Sequence, residues 1–183
     1  MVPTEVVDAY DDGLDAIRLA AATVVDWSAP TPCEGWRAVD LAGHLVLVVR
    51  MYDDLLDRAA AGPVRMTTGT DLAERNLREL ADLPPSSGPH RIGAFLDGAR
   101  AYLARALRRH DRVWVREAHE LTVGEHLATA CIEWHVHAWD LDPGRDAPAC
   151  APLLAEAWRR HLPYRIGGGD PWDAVLRAAG RTP

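Results

Sequence analysis

The stretch IEWHVHAWDL, residues 132–141, places two histidines, a glutamate and an aspartate within ten positions. Imidazoles and carboxylates are the side chains that bind metal ions and transfer protons. On a β-strand, His135 and His137 would share a face. On an α-helix, residues three or four apart share a face, which pairs Glu133 with His137 instead. The chemistry of this stretch therefore depends on its secondary structure.

The apolar residues around this stretch recur with helical spacing, which predicts a helix over about residues 122–141 that ends before Pro143 and Gly144. On this helix Glu133 and His137 stack on one side, and His135 lies about 200° around the axis from each of them. The apolar positions that carry the pattern are Leu127, Ala130, Trp134, Ala138 and Leu141.

A third metal ligand would have to come from another helix, and His44 is the best candidate. It lies three residues after Leu41 and four before Val48, on the buried side of a second predicted helix. Two histidines and one glutamate leave an open coordination position, which is typical of catalytic zinc sites. Asp140, next on the face of Glu133 and His137, is suited to orient a ligand histidine from behind.

Each of these residues also has an ordinary structural interpretation. A lone inward histidine such as His44 is usually a core histidine with satisfied hydrogen bonds, and a pair such as Glu133 and His137 is usually an exposed helix pair. His135 is interpreted as an interhelix hydrogen bond or a contact in a pocket. Trp36 is interpreted as a packing anchor or a pocket wall. Sequence spacing does not decide between these alternatives.

Helical spacing dominates the rest of the chain, so the sequence predicts an all-α fold, a four-helix bundle with short extra helices. A small extended or hairpin segment, RVWVREAHELTV, precedes the fourth long helix. We expect a single domain over residues 1–183, with a core at about 4–141 and a helical tail at about 150–183. The predicted long helices are 4–26, 38–61, 92–109 and 122–141, the shorter ones are 70–82, 150–162 and 171–179, and LPPSSGPH is the clearest loop.

Composition excludes several functions. The chain of 183 residues has a net charge of −7, which argues against nucleic acid or an anionic membrane as a partner. It has no lysine, so lysine Schiff-base chemistry and a P-loop are excluded. No apolar run is long enough to cross a membrane, and the acidic N-terminus is unlike a signal peptide. The three cysteines are an odd number without paired spacing, which fits a reducing compartment. Together these features predict a cytoplasmic protein.

Two blocks of the sequence resemble a known family. TPCEGWRAVDLAGHL, residues 31–45, resembles the P-C-x-G-W-x-x-x-D-L-x-x-H-L opening of the mycothiol-dependent maleylpyruvate isomerase N-terminal domain family. LTVGEHLATACIEWHVHAWDL, residues 121–141, resembles its second block, which ends E-x-x-x-H-x-W-D-L. The family belongs to the DinB-like superfamily of four-helix metal-binding bundles, and the chain's ending resembles short, stand-alone actinobacterial members.

The resemblance implies that His44, Glu133 and His137 are the metal ligands. It implies zinc as the usual metal, although Ni²⁺ and Fe²⁺ also accept this ligand set. The implied cosubstrate is a low-molecular-weight thiol, mycothiol in actinobacteria. Two departures matter: the isomerase has a further C-terminal domain that this chain is too short to hold, and His135 stands where the family usually has a small or aliphatic residue. The first departure argues against the isomerase reaction itself.

These implications lead to one principal functional hypothesis. It is a metal-dependent thiol S-transferase, in which the metal favours the reactive thiolate of the cosubstrate for attack on an electrophilic small molecule. The alternatives are a thiol-independent, metal-dependent hydrolase or isomerase and a non-catalytic, metal-binding DinB-like protein. A monomer and a homodimer are both open, and the sequence identifies no general base.

Overall fold

The structure is a computed structural model of the chain. It describes residues 1–59, 64–66, 70–109, 113–116, 119–162 and 165–183. Within these ranges the chain is predominantly helical, as the sequence predicts. The helices are α1 (Thr4–Thr23), α2 (Ala38–Ala59), α3 (Thr70–Asp82), α4 (Gly88–Ala106), α5 (Val123–Leu141), α6 (Ala151–His161) and α7 (Pro171–Ala178), and the strands are β1 (Val64–Met66), β2 (Val113–Arg116) and β3 (His119–Thr122).

The four long helices, α1, α2, α4 and α5, form the bundle. The contacts between α1 and α5 show that these two helices run parallel. The Cys131 thiol lies 3.6 Å from the Val6 carbonyl, and His135, one turn further along α5, lies 3.1 Å from the Ala9 carbonyl. Gly13 permits their close approach, since a Cβ at this position would lie 2.8 Å from the Cβ of Trp134.

Helices α2 and α4 also run parallel to each other, and antiparallel to α5. Arg91 donates to the Val39 carbonyl at 3.0 Å near the start of both helices, and Arg105 pairs with Asp57 near the end of both. In contrast, the start of α2 contacts the end of α5, where the rings of His44 and His137 meet. We call the end of the bundle where α1 and α5 finish and α2 and α4 begin the upper end.

The connection from α2 to α4 contains α3 and β1, because a chain joining two parallel helices must return along the bundle. β1 pairs in parallel with β2, and β2 pairs antiparallel with β3, in register Val113↔Thr122 to Arg116↔His119. The predicted hairpin before the fourth long helix is therefore confirmed. The pairing with β1 was not predicted, since three residues carry little periodicity.

Aromatic rings fill the centre of the bundle around Trp134, which is fully buried. The rings of Phe95 and Tyr10 meet it edge to face, at centroid distances of 4.9 and 5.8 Å. Tyr10 also donates its hydroxyl proton to the Ala99 carbonyl at 3.1 Å, so its polar end is satisfied inside the core. The core thus combines rings from three helices.

The predicted helical tail is present as α6, which packs against α5, and α7, which packs against α6 and α5. Some predicted boundaries were wrong: the loop LPPSSGPH ends earlier than expected, because α4 already begins at Gly88, and α1 and α4 end at Thr23 and Ala106, before their predicted ends. Ser87 caps this helix by accepting from the His90 amide, and Pro89 lies in its first turn, where a missing N–H is harmless. Across the described segments, no helix combines the length and apolarity needed to cross a membrane.

Candidate metal centre

Helix α5 carries three polar residues of the predicted site on one face near its C-terminal end. The helix is fixed at its start by a capping box, in which Thr122 and Glu125 each accept a hydrogen bond from the backbone amide of the other. With the helix fixed, the four-residue step from Glu133 to His137 and the three-residue step to Asp140 place these side chains in contact.

His44 joins them from α2 at the upper end of the bundle. One ligand atom from each of His44, Glu133 and His137 lies within 4.8 Å of the others. Where the structure describes side chains, this is the one group of three or more potential ligands within such a distance. The imidazole rings of His44 and His137 meet edge to face with centroids 5.1 Å apart. The structure therefore brings together the three residues that the sequence proposed as ligands.

His137 lies between two carboxylates. Its Nδ1 is 2.9 Å from Oδ2 of Asp140, and its Nε2 is 3.4 Å from Oε2 of Glu133. Burial disfavours the protonated ring, but the hydrogen bonds and negative charges of Asp140 and Glu133 outweigh burial and raise the pKa of His137 to about 9. Without a metal, His137 is therefore an imidazolium at neutral pH, with protons directed at both carboxylates.

His44 has the opposite electrostatic behaviour. Burial, reinforced by the positive charge of His137, lowers the pKa of His44 to about 3, so its ring is neutral. Its Nδ1 is buried and finds no hydrogen-bond partner among the residues that the structure describes. A neutral imidazole with an unsatisfied buried nitrogen is costly unless something else binds it. This makes the core-histidine interpretation of His44 the weaker one.

The donor set and its spacing fit a divalent metal. Two ligands bound tetrahedrally at about 2.1 Å would lie about 3.4 Å apart, and Oε2 of Glu133 and Nε2 of His137 are 3.4 Å apart. Two imidazoles and a carboxylate also match zinc sites that keep one position open. The residues present therefore fit a metal ion, with little movement of the pair on α5.

Trp36 forms one wall of the site. Its ring centroid lies 4.6 Å from that of His44 and 6.4 Å from that of His137, nearly parallel to the latter. The preceding turn is held by a backbone bridge between Pro30 and Arg37 and by Gly35, whose φ of 79° favours glycine. Trp36 thus both packs on the histidines and borders the site.

Glu133 marks the accessible side of the centre. Its side chain is 37% exposed, whereas that of His137 is 7% exposed. A small molecule would therefore approach past the glutamate rather than past the histidines.

His135 lies away from this cluster, in the seam between α1 and α5. Its Nε2 is 3.1 Å from the Ala9 carbonyl and 3.3 Å from Sγ of Cys150. Burial lowers the pKa of His135, so the ring is neutral. The structure supports its interpretation as an interhelix hydrogen bond, and does not bring it together with His44, Glu133 and His137.

Two residues at this end of the bundle were missed by the sequence analysis. Arg181, near the C-terminus, forms an ion pair with Asp140 at 2.6 Å. Cys33, in the turn before Trp36, is close enough to Arg181 for a hydrogen bond, and burial raises the pKa of this thiol. Asp140 stays ionised, since the hydrogen bonds from His137 and Arg181 outweigh its burial and lower its pKa. The proline–cysteine pair of the first block is a signal that could have identified Cys33, whereas no local pattern indicates Arg181.

A groove of about 800 Å³ lies elsewhere, between the N-terminus, α6 and the first turns of α5. It is lined by apolar residues such as Val6, Ala128 and Leu153, together with Glu5 and Glu156. None of the three candidate ligands lines it. We therefore assign the candidate chemistry to the upper end of the bundle.

Fold and site together define a four-helix bundle protein with a candidate His₂Glu centre between α2 and α5. The family model of the mycothiol maleylpyruvate isomerase N-terminal domain matches residues 9–142, which include all of these ligands. The chain belongs to this family.

Two solved structures have a similar fold. The crystal structure of the mycothiol-dependent maleylpyruvate isomerase matches with a TM-score of 0.60 and 15% sequence identity, covering 84% of this chain and 66% of that chain. A histidine-to-alanine mutant of the same enzyme matches with the same values. The chain thus spans 66% of the length of these solved chains. No curated protein matches the sequence.

Proposed function

We propose that the protein is a metal-dependent enzyme that joins a low-molecular-weight thiol, mycothiol in the first instance, to an electrophilic small molecule. The observation that carries this proposal is the convergence of His44, Glu133 and His137 on one point. Membership of a family named for a mycothiol-dependent isomerase supports the thiol. The relatives' own substrate, maleylpyruvate, is one candidate electrophile among others.

The three residues would hold the ion through two imidazole nitrogens and a carboxylate oxygen. We propose zinc, with Ni²⁺ and Fe²⁺ as alternatives that the same donors accept. A divalent metal in this position would supply Lewis-acid chemistry, lowering the pKa of a thiol bound beside it so that the reactive thiolate is present at neutral pH.

The surrounding residues orient and shield the centre. Asp140 accepts a hydrogen bond from Nδ1 of His137, which leaves Nε2 facing Glu133 and the site. Trp36 covers the two histidine rings and keeps water from that side. The exposed edge of Glu133 leaves a path for the thiol and the electrophile. A reducing cytoplasm, where low-molecular-weight thiols stay reduced, suits such a cosubstrate and the three free cysteines.

An assay of thiol conjugation tests this function. Purified full-length protein is loaded with zinc and incubated with mycothiol, or with other small thiols, and a panel of epoxides, enones, halides and maleylpyruvate. Adducts and isomers are followed by mass spectrometry. We expect turnover that requires both thiol and metal, and that falls at least about 100-fold in Glu133→Gln, since a lost ligand is at least as damaging as a lost supporting residue. His90→Ala, an exposed histidine on α4, is the matched control and should keep full activity.

The other outcomes identify the alternatives. Turnover of the panel by the metal-loaded protein without any thiol would indicate a hydrolase or isomerase instead. A protein that binds metal tightly but turns over no member of the panel with any thiol would contradict the proposed activity and favour a binding module.

A further inference from the structure

Arg181 lies after the last helix, outside the residues that match the family model. The turn at the end of α7 brings this residue to the candidate metal centre. Gly180 has a φ of 81°, the Gly180 amide donates to the Arg177 carbonyl, and the Arg181 amide donates to the Leu176 carbonyl at 2.9 Å. This pattern is a Schellman motif, which reverses the chain at a helix end and requires glycine at the turn. It directs Arg181 back towards α5.

All three nitrogens of the Arg181 guanidinium are engaged. Nε donates to Oδ1 of Asp140 at 3.0 Å, Nη2 donates to Oδ2 at 2.6 Å, and Nη1 donates to the Ala179 carbonyl. The side chain is 13% exposed. Because Nε and Nη2 both bond Asp140, the carboxylate of this residue is the direct contact through which Arg181 reaches the ligand pair on α5.

Asp140 connects this arginine to a candidate ligand. Its side chain is fully buried, and Oδ2 receives both Nη2 of Arg181 and Nδ1 of His137, the latter at 2.9 Å. The bidentate ion pair fixes the plane of the carboxylate. The carboxylate in turn fixes the orientation of the His137 ring, with Nε2 directed at Glu133.

We propose that Arg181 is a positioning residue of the metal centre. Through this residue, the C-terminal segment from Pro171 to Pro183 contributes to the site. The inference rests on the proposed metal centre and adds a component to it. The Arg181–Asp140–His137 series is the path by which the tail acts: it holds one ligand ready, so binding of the ion and docking of the tail favour each other.

Metal affinity of the full chain tests the inference. Zinc and cobalt affinities are measured by competition with a chromophoric chelator in the unchanged protein, Arg181→Ala, Arg181→Lys and Arg177→Ala. We expect Arg181→Ala to weaken binding about 10- to 100-fold, as for other residues that orient a ligand. Arg181→Lys should fall between, because an ammonium keeps the charge but not the bidentate geometry. Arg177, an exposed arginine one turn earlier, is the matched control and should leave affinity unchanged.

A second background separates positioning from general stability. Arg181→Ala leaves the buried Asp140 carboxylate without one of its two cationic partners, so this variant is also made together with Asp140→Asn, which removes the carboxylate charge. In the Asp140→Asn background, loss of Arg181 should change metal affinity less than twofold. Hydrogen exchange in the tail should slow when metal binds the unchanged protein, and should not respond to metal in Arg181→Ala.

The outcomes that overturn the inference are distinct from failure of the metal centre. Tight metal binding by the unchanged protein with equal affinity in Arg181→Ala would overturn the role of Arg181 and leave the centre in place. An equal loss from Arg181→Ala in both backgrounds would show that the arginine does not act through Asp140. No metal binding by the unchanged protein would overturn the centre itself, and this inference with it.

Discussion

At the scale of single residues, the two histidines of the HVH sequence have separate tasks. His137 belongs to the cluster with His44 and Glu133, and His135 bonds to the backbone of α1. The helical period was enough to separate them, since residues two apart on a helix cannot share a face. The sequence could not predict what His135 contacts, because its partners on α1 and Cys150 are brought together only by tertiary packing.

This separation predicts different effects of two alanine substitutions. His135→Ala should lower the free energy of unfolding by about 1–3 kcal/mol, because a buried imidazole and its hydrogen bonds between α1 and α5 are lost, and should leave metal content unchanged. His137→Ala should abolish stoichiometric metal binding. Urea unfolding and elemental analysis of both variants check this. Loss of metal in His135→Ala, in a protein that remains folded, would contradict the assignment.

The two ligand histidines also predict how stability depends on pH in the metal-free protein. The pKa of His137 is raised from 6.5 to about 9, so its stabilising effect is complete below pH 6.5 and is lost as pH rises through 9. The pKa of His44 is lowered from 6.5 to about 3, so burial of this neutral ring costs no stability above pH 6.5. The free energy of unfolding then decreases as pH falls from 6.5 towards 3. These two groups together favour a stability maximum near pH 6.5.

Urea unfolding of chelator-treated protein measures this dependence. Between pH 6.5 and about 9 we expect the free energy of unfolding to fall by roughly 1–3 kcal/mol. Asp140→Asn serves as the control, because without the carboxylate the pKa of His137 rises less and the alkaline decline should flatten. Stability that increases over this range would be incompatible with an imidazolium held between Glu133 and Asp140.

At the scale of the elements, the bundle depends on close contact between α1 and α5. Gly13 sits where these helices meet, and a Cβ there would lie 2.8 Å from the Cβ of Trp134. Helical periodicity predicted both helices, because their apolar patterns are long, and its absence from RVWVREAHELTV predicted the extended or hairpin segment between α4 and α5. It did not predict the parallel pairing of α1 with α5, which depends on contacts more than a hundred residues apart.

A pair of glycine substitutions tests this contact. Gly13→Ala should destabilise the protein by roughly 1–3 kcal/mol through overpacking, despite the better helix propensity of alanine. Gly93→Ala, at an exposed position of α4 where a Cβ meets nothing within 4 Å, should stabilise it by about 0.5–1 kcal/mol. Thermal and urea unfolding of the two variants give the comparison. Equal effects of the same sign would mean that α1 and α5 are not in such close contact.

At the scale of the whole molecule, the candidate centre links distant parts of the chain. His44 comes from the start of α2, Glu133 and His137 from the end of α5, and Arg181 from the tail. Helical spacing made the first three candidates, since two lie on one helix face and the third on the buried face of another helix, and the family resemblance implied that they are ligands. It did not predict Arg181, since only the turn at Gly180 and the packing of α7 bring it to Asp140.

Because the metal would bridge α2 and α5, its binding should stabilise the entire fold. A ligand that binds only the folded state adds about 2.7 kcal/mol at a free concentration 100 times its dissociation constant. Calorimetric unfolding with and without zinc should therefore show a single transition that moves to higher temperature. Stabilisation of the same size in His44→Ala would locate zinc binding elsewhere.

Elemental analysis of the purified protein beside its Glu133→Ala variant tests whether His44, Glu133 and His137 form a metal centre. We expect a stoichiometric divalent metal in the unchanged chain, zinc by donor type, and its loss from a Glu133→Ala protein with an unchanged helical content. A metal retained in full by Glu133→Ala, or an unchanged chain that takes up no metal on reconstitution, would contradict this expectation.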